Sequence, residues 1–163
     1  MAYKSYSHED FEEVVTKHEN RLYRTALAIT GNVSDAEDIV QETFLRAYVK
    51  APEFESEDHE KAWLIRVTIN LCKSRLRTSR RKRIVPLLES YPASEPQQHE
   101  LLEQIMTLAP KYRTVIHLFY YEGYSIKDIS KLTRQKESTV RSHLSRARKK
   151  LKSILKEDSY ENL

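Results

Sequence analysis

Apolar side chains in this chain recur every three to four residues almost from end to end, and no segment alternates as a half-buried strand would. That periodicity confines the fold to packed helices. Helix starts are marked as clearly: Ser7 with Asp10, Ser34 with Glu37 and Ser125 with Asp128 each place a carboxylate three residues after a capping hydroxyl. The spacing predicts a first helix over about 8–30, ended by Gly31-Asn32, and a second over about 35–50, stopped before Pro52. A third is predicted from near Asp58 to about Arg80. With two glycines and five prolines among 163 residues, the chain lacks the turn chemistry of a sandwich or barrel.

The prolines also divide the chain. Pro86, Pro92 and Pro96 fall within eleven residues, in a stretch without Lys or Arg, and they predict an extended connector rather than a helix. Beyond it the pattern predicts helices over about 98–108, from Pro110 to Gly123, over 126–132 and over 137–156. The expected architecture is all-α: a domain over 1–83, a Pro-containing flexible linker over 84–97, and a helix-turn-helix domain over 98–163. Domains of about 80 residues lie near the lower limit for independent stability, so each is expected to depend on a partner.

The net charge of +4 conceals alternating blocks. Residues 1–59 carry 6 basic and 13 acidic side chains, 60–83 carry 9 and 1, and 84–110 carry none and 4. Residues 111–152 then carry 12 basic against 3 acidic, and the remaining tail 1 against 3. Each basic block can neutralise phosphates locally. No apolar run reaches the length of a membrane span and the start has no signal-peptide pattern, so a cytoplasmic protein without membrane insertion is expected. The single cysteine, Cys72, excludes an internal disulfide and a Cys-based zinc cage. His8, His18, His59, His99, His117 and His143 lack metal-ligand spacing, and no carboxylate pair or phosphate-cradling glycine loop is present. No metal, cofactor or catalytic residue is expected, and the chain reads as a binding protein rather than an enzyme.

In the first basic block, helical spacing puts Ile65, Ile69, Cys72 and Leu76 on one apolar arc. Arg66, Asn70, Lys73 and Arg77 form a polar stripe opposite, with Trp63 at its edge and Arg80 to Arg83 extending the charge. Cations for phosphates, an amide for a base edge and an aromatic face for stacking suit a nucleic-acid strand, such stacking being worth roughly 1–3 kcal/mol per base. Trp63 fits a seam between helices equally well. Cys72 reads as a small buried hydrophobe.

The second basic block has the pattern of a helix-turn-helix. Ile126, Ile129 and Leu132 make a short amphipathic helix, Thr133-Arg134-Gln135 a turn, and Val140, Leu144, Ala147 and Leu151 the apolar face of a longer helix. Its other face collects Ser138, Arg141, Ser142, Ser145, Arg148, Lys149 and Lys152, with Arg146 at the border. Small hydroxyls admit such a helix deep into a major groove. Arg141 can read a guanine in bidentate fashion, worth roughly 1–3 kcal/mol of discrimination. Arg146, Arg148 and Lys149 crowd the far end and suit phosphates. Arg134 is the expected left-handed turn residue, at a cost on the order of 1 kcal/mol.

In order and spacing these segments resemble the extracytoplasmic-function (ECF) group of bacterial RNA polymerase sigma factors, in the sigma-70 family. The run from Ser34 to Ala47, SDAEDIVQETFLRA, is similar to that family's polymerase-clamp-binding helix. Ala62 to Leu71, AWLIRVTINL, is similar to its promoter-melting helix, and Pro110 to Arg148 to its promoter-binding carboxy-terminal domain. The resemblance implies that Asp35, Asp38, Gln41 and Glu42 bind core RNA polymerase, whereas Ile39 and Phe44 belong to the core. It implies that residues 51–59 and the third helix, through Trp63, Arg66, Asn70, Lys73, Arg77 and Arg80, engage the single-stranded minus-ten element, one base leaving the stack. Ser138, Thr139, Arg141, Ser142, Ser145, Arg146, Arg148 and Lys149 would engage the duplex minus-thirty-five element. The acidic connector would thread polymerase channels, and an anti-sigma factor, soluble or membrane-anchored, is the further expected partner.

The chain departs from the family pattern at Arg134-Gln135, at Lys136 where Pro is frequent, and at Ala109 where Leu is usual. A repressor using the same helix-turn-helix is the rival reading. It has no use for the acidic face or for the Trp63–Arg77 stripe.

Overall fold

The computed structural model describes residues 3–78 and 102–161, the last of these, from 154, by backbone alone. The expected connector and Arg80 lie outside the described residues. The chain divides into two compact units, Met1–Ile84 and Val85–Leu163.

The first unit packs three helices, α1 (His8–Thr30), α2 (Val33–Lys50) and α3 (Glu57–Thr78), each against the other two. Ser7 caps α1 as the sequence predicts, its hydroxyl accepting from the Asp10 N–H at 3.1 Å. Gly31 ends the helix in the left-handed conformation, φ 66°, its N–H donating to the Leu27 carbonyl. One expectation changes here. The cap of α2 is Asn32 rather than Ser34, its side chain accepting from the Asp35 N–H at 3.0 Å. The chain leaves Gly31 directly into the extended backbone of Asn32, φ −138°, so Ser34 already lies inside the helix. Of the expected apolar arc of α3, Ile65, Ile69 and Cys72 are buried, with Leu64 beside them, whereas Leu76 near the helix end is half-buried; Leu22, Leu27, Ile39 and Phe44 are buried in the same unit. The Thr43 and Thr68 hydroxyls, buried and 3.2 Å apart, join α2 to α3.

The second unit begins, among the described residues, with a helical turn over 102–106. It continues as α4 (Pro110–Ile116), α5 (Ile126–Thr133) and α6 (Glu137–Glu161). The sequence predicts one regular helix from Pro110 to Gly123, but the chain widens into a π-helical turn over His117–Tyr121. There the Glu122 N–H reaches back five residues to the His117 carbonyl at 3.1 Å. The wider turn keeps His117 and Leu118 buried while Tyr120 and Tyr121 face outward. Arg113 is fully buried, its guanidinium donating to the carbonyls of Leu108 at 3.0 Å and Met106 at 3.4 Å. Those acceptors satisfy a charge that would otherwise be prohibitively placed. Ser125 caps α5 by accepting from the Asp128 N–H at 3.1 Å. Arg134 takes the left-handed turn, φ 55° and ψ 42°, as the sequence predicts. Val140, Leu144 and Ala147 of α6 close the core over Ile129 and Leu132.

Candidate nucleic-acid interface

One face of α2 is set by residues spaced three and four apart: Asp38, Gln41, Glu42, Leu45, Tyr48 and Val49. Its first half is acidic and amide-bearing, and its second half exposes Leu45, Tyr48 and Val49 at 53–65 %. The apolar half was not singled out from the sequence, although its spacing, offset from that of the core residues Ile39, Thr43 and Ala47, is a legible signal. Asp35 stands apart from this face. It is buried, and its carboxylate accepts from Arg75 of α3 at 2.8 Å. The same guanidinium lies 3.8 Å from exposed Asp38, and Glu42 pairs with Arg46 at 3.1 Å along its own helix.

On α3, Arg66 and Arg77 are exposed and Asn70 and Lys73 half-buried, four residues on one stripe. Trp63 is half-buried and packs edge-on against Phe54 of the preceding loop, ring centroids 5.8 Å apart. Phe54 also meets His59 edge-on at 5.2 Å. Trp63 therefore borders the stripe on an aromatic cluster outside the helix core. Ser56 caps α3 by accepting from the His59 N–H at 3.1 Å.

Beneath this loop lies a buried polar pair that sequence reading missed. His18 Nε2 and Glu60 Oε1 are 3.0 Å apart, and Arg21 donates to His18 Nδ1 at 3.3 Å. An arginine can only donate, so Nδ1 is the acceptor, Nε2 carries the proton, and the imidazole is neutral. Burial holds its pKa below the ordinary value, with Arg21 and Lys17 acting in the same direction and Glu60 opposing. A cleft of about 410 Å³ opens beside it, bordered by Lys4, Tyr6, Lys17, Phe54 and Glu60. Burial, then Glu60 and Glu53, pushes the Tyr6 hydroxyl up to about 12, so it stays protonated.

In the second unit, Ser138, Arg141, Ser142, Ser145, Arg146, Arg148 and Lys149 are all exposed along α6, with Thr139 half-buried. Arg141 pairs with Glu137 one turn back, at 3.4 Å and in solvent, which leaves it readily redirected. Arg148 is more firmly placed. Its Nε donates to the Tyr120 hydroxyl at 2.7 Å, and its guanidinium stacks 5.4 and 5.6 Å from the Phe119 and Tyr120 ring centroids. The π-helical turn supplies both aromatics. Among the described residues no cluster of His, Cys, Asp or Glu could hold a metal ion, and no helix is long and apolar enough to cross a membrane.

The first unit is thus a three-helix bundle with a cationic helix face, and the second carries a helix-turn-helix. Residues 14–82 match the model for sigma-70 region 2, and residues 98–151 that for sigma-70 region 4. The chain belongs to the sigma-70 family, in its ECF group. It is similar to the ECF RNA polymerase sigma factor SigE of Mycolicibacterium smegmatis, at 32 % identity over 93 % of this chain, and spans 63 % of that relative's length. It is 29 % identical to the ECF RNA polymerase sigma factor SigW of Bacillus subtilis, over 90 % of this chain and 89 % of SigW. Among solved structures it resembles the sigma factor RpoE of Bartonella quintana, determined in complex with the anti-sigma factor NepR. The TM-score is 0.75 at 25 % identity, covering 91 % of this chain and 98 % of RpoE.

Proposed function

We infer that this chain is an alternative sigma factor, which binds core RNA polymerase, directs it to a particular set of promoters and assists in opening the duplex. The observation that carries this reading is that separate units bear separate cationic helices, one beside a half-buried aromatic and the other on a helix-turn-helix. The two faces fit two promoter elements of different form. Arg66, Asn70, Lys73 and Arg77 hold the backbone and one base edge of the unpaired minus-ten strand, with Trp63 beside it for stacking. Ser138, Thr139, Arg141, Ser142 and Ser145 enter the major groove of the minus-thirty-five element, and Arg146, Arg148 and Lys149 meet phosphates.

Asp38, Gln41 and Glu42 dock on polymerase together with Leu45, Tyr48 and Val49. Asp35, already occupied by Arg75, holds α2 in place for that contact. The chemistry of RNA synthesis belongs to the polymerase, so the chain needs no catalytic residue of its own. RpoE, solved in complex with the anti-sigma factor NepR, supports a partner of that kind here, and the reading places the chain in the bacterial cytoplasm.

Purified protein added to core polymerase is expected to start transcription at defined sites, while binding DNA weakly alone. Tight, specific duplex binding without polymerase, and no initiation with it, would favour a repressor instead.

A further inference from the structure

The loop that carries Phe54, residues 51–56 ahead of α3, is held largely from outside itself. Residues 51 and 52 are met by the segment ahead of α1: Tyr3 pairs with Pro52 in an isolated antiparallel bridge, and the Lys4 N–H donates to the Ala51 carbonyl at 2.6 Å. Lys4 makes three further approaches. Its ammonium lies 3.6 Å from Glu60 Oε2, 4.9 Å from the Tyr6 ring centroid and 5.7 Å from that of Phe54. Glu60 is itself fixed by buried His18, and Tyr6 is buried. Lys4 thus connects the helix core, through Glu60, to the aromatic ring on which His59 and Trp63 rest.

We propose that residues 3–6 form a strap that sets the position of loop 51–56, and that Lys4 is a positioning residue for capture of the unpaired minus-ten strand. The proposal rests on the reading of Trp63 and the α3 stripe as the minus-ten face. A base leaving its stack must find a preformed surface, because every side chain ordered at that moment subtracts from the binding free energy. Phe54 without its cation and backbone tether has more freedom, and Trp63 and His59 lose the edge contact that fixes their rings. The strap acts on ring orientation, so it governs discrimination between bases as well as affinity. A segment that only held the fold together would govern neither selectively.

The test uses full-length chain bound to core polymerase, and a labelled non-template strand spanning the minus-ten element of a promoter mapped with that holoenzyme. Lys4→Met removes the charge, Lys4→Pro the N–H donor, and Lys4→Arg retains both. Lys4→Met and Lys4→Pro are expected to weaken strand binding about fivefold and to narrow the preference for the mapped sequence over single-base variants, with Lys4→Arg near normal. Core affinity and minus-thirty-five duplex binding should stay within about twofold of the parent, differences that small being ordinary for exposed sites.

Trp63→Ala separates the two ideas. Weakened strand binding with Trp63→Ala, but unchanged affinity and preference with both disruptive Lys4 variants, overturns the strap alone. No effect of Trp63→Ala overturns the minus-ten reading and the strap with it. A parallel loss of core affinity and thermal midpoint in the Lys4 variants also overturns the proposal, by making the segment a support of the fold only.

Discussion

The guanidinium of Arg75 on α3 lies 2.8 Å from the carboxylate of Asp35 in the first turn of α2, although the two are 40 residues apart in sequence. This one ion pair joins the helix assigned to polymerase to the helix assigned to DNA. Asp35 is buried and Arg75 about one-third exposed, so the pair is neither a solvent-screened surface bridge nor a fully desolvated one. Arg75→Met is expected to destabilise the first unit by about 1–3 kcal/mol, since it removes a guanidinium that donates directly to a buried carboxylate. The Asp35→Asn/Arg75→Met double variant should cost less than the two single losses combined. Urea unfolding followed by fluorescence of Trp63, the only tryptophan, measures both.

Acid should weaken the same unit through His18. Its ordinary pKa is 6.5, and burial lowers it in the folded state. Between the two values the unfolded chain binds more protons, so stability falls as pH drops below about 6.5 and levels off above it. The Trp63-detected unfolding midpoint is expected to be lower at pH 5.5 than at pH 7.5. His18→Gln should flatten that difference, and an unchanged slope would remove His18 as its source.

Arg134 holds a left-handed conformation at φ 55° without the help of glycine. Arg134→Gly should relieve that strain, partly offset by the greater freedom of glycine in the unfolded chain. A net gain of about 0.5–1 kcal/mol is expected in the second unit, read by thermal unfolding.

Arg141 and Arg148 should behave differently on duplex DNA. Arg141→Ala is expected to relax base preference in the minus-thirty-five element, costing about 1–3 kcal/mol on the preferred sequence and little elsewhere. Arg148→Ala should weaken binding about equally on all sequences and lower the salt slope by about 1. Tyr120→Phe, which removes only the hydroxyl that accepts from Arg148, should move binding in the same sense by less. Salt-dependent titrations of holoenzyme on matched and mutated promoters distinguish these outcomes.

Exchanging Asp38 and Glu42 for Lys is expected to weaken core-polymerase binding by tenfold or more, about 1.4 kcal/mol, without altering the thermal midpoint of the second unit. Leu45→Ser should weaken it through lost apolar contact. Equal affinity in both variants, measured by competition with a labelled parent chain, would remove α2 from the polymerase interface.

Much of this architecture is legible locally. Ser7, Ser125 and Gly31 act within one helical turn, so their caps are readable from residue type and spacing. The buried faces Leu64–Ile65–Ile69–Cys72 and Val140–Leu144–Ala147 follow from the helical repeat, and the left-handed Arg134 from the length of its turn. The choice of Asn32 over Ser34 as a cap was less legible, because both types suit the position and only the path out of Gly31 selects between them.

By itself, then, the sequence determined the helices, their apolar faces and the alternation of acidic and basic segments, all properties of side chains within a few residues of one another. Tertiary packing decided what those side chains touch. It occupied Asp35 with Arg75, set Arg148 on the aromatic shelf of a π-helical turn, and rested Trp63 on Phe54. The Asp35–Arg75 and Tyr120–Arg148 pairings span 40 and 28 residues. The Phe54–Trp63 contact bridges the start of a helix and the loop before it. No periodic signal encodes such meetings, because they depend on the angle and depth at which whole elements pack.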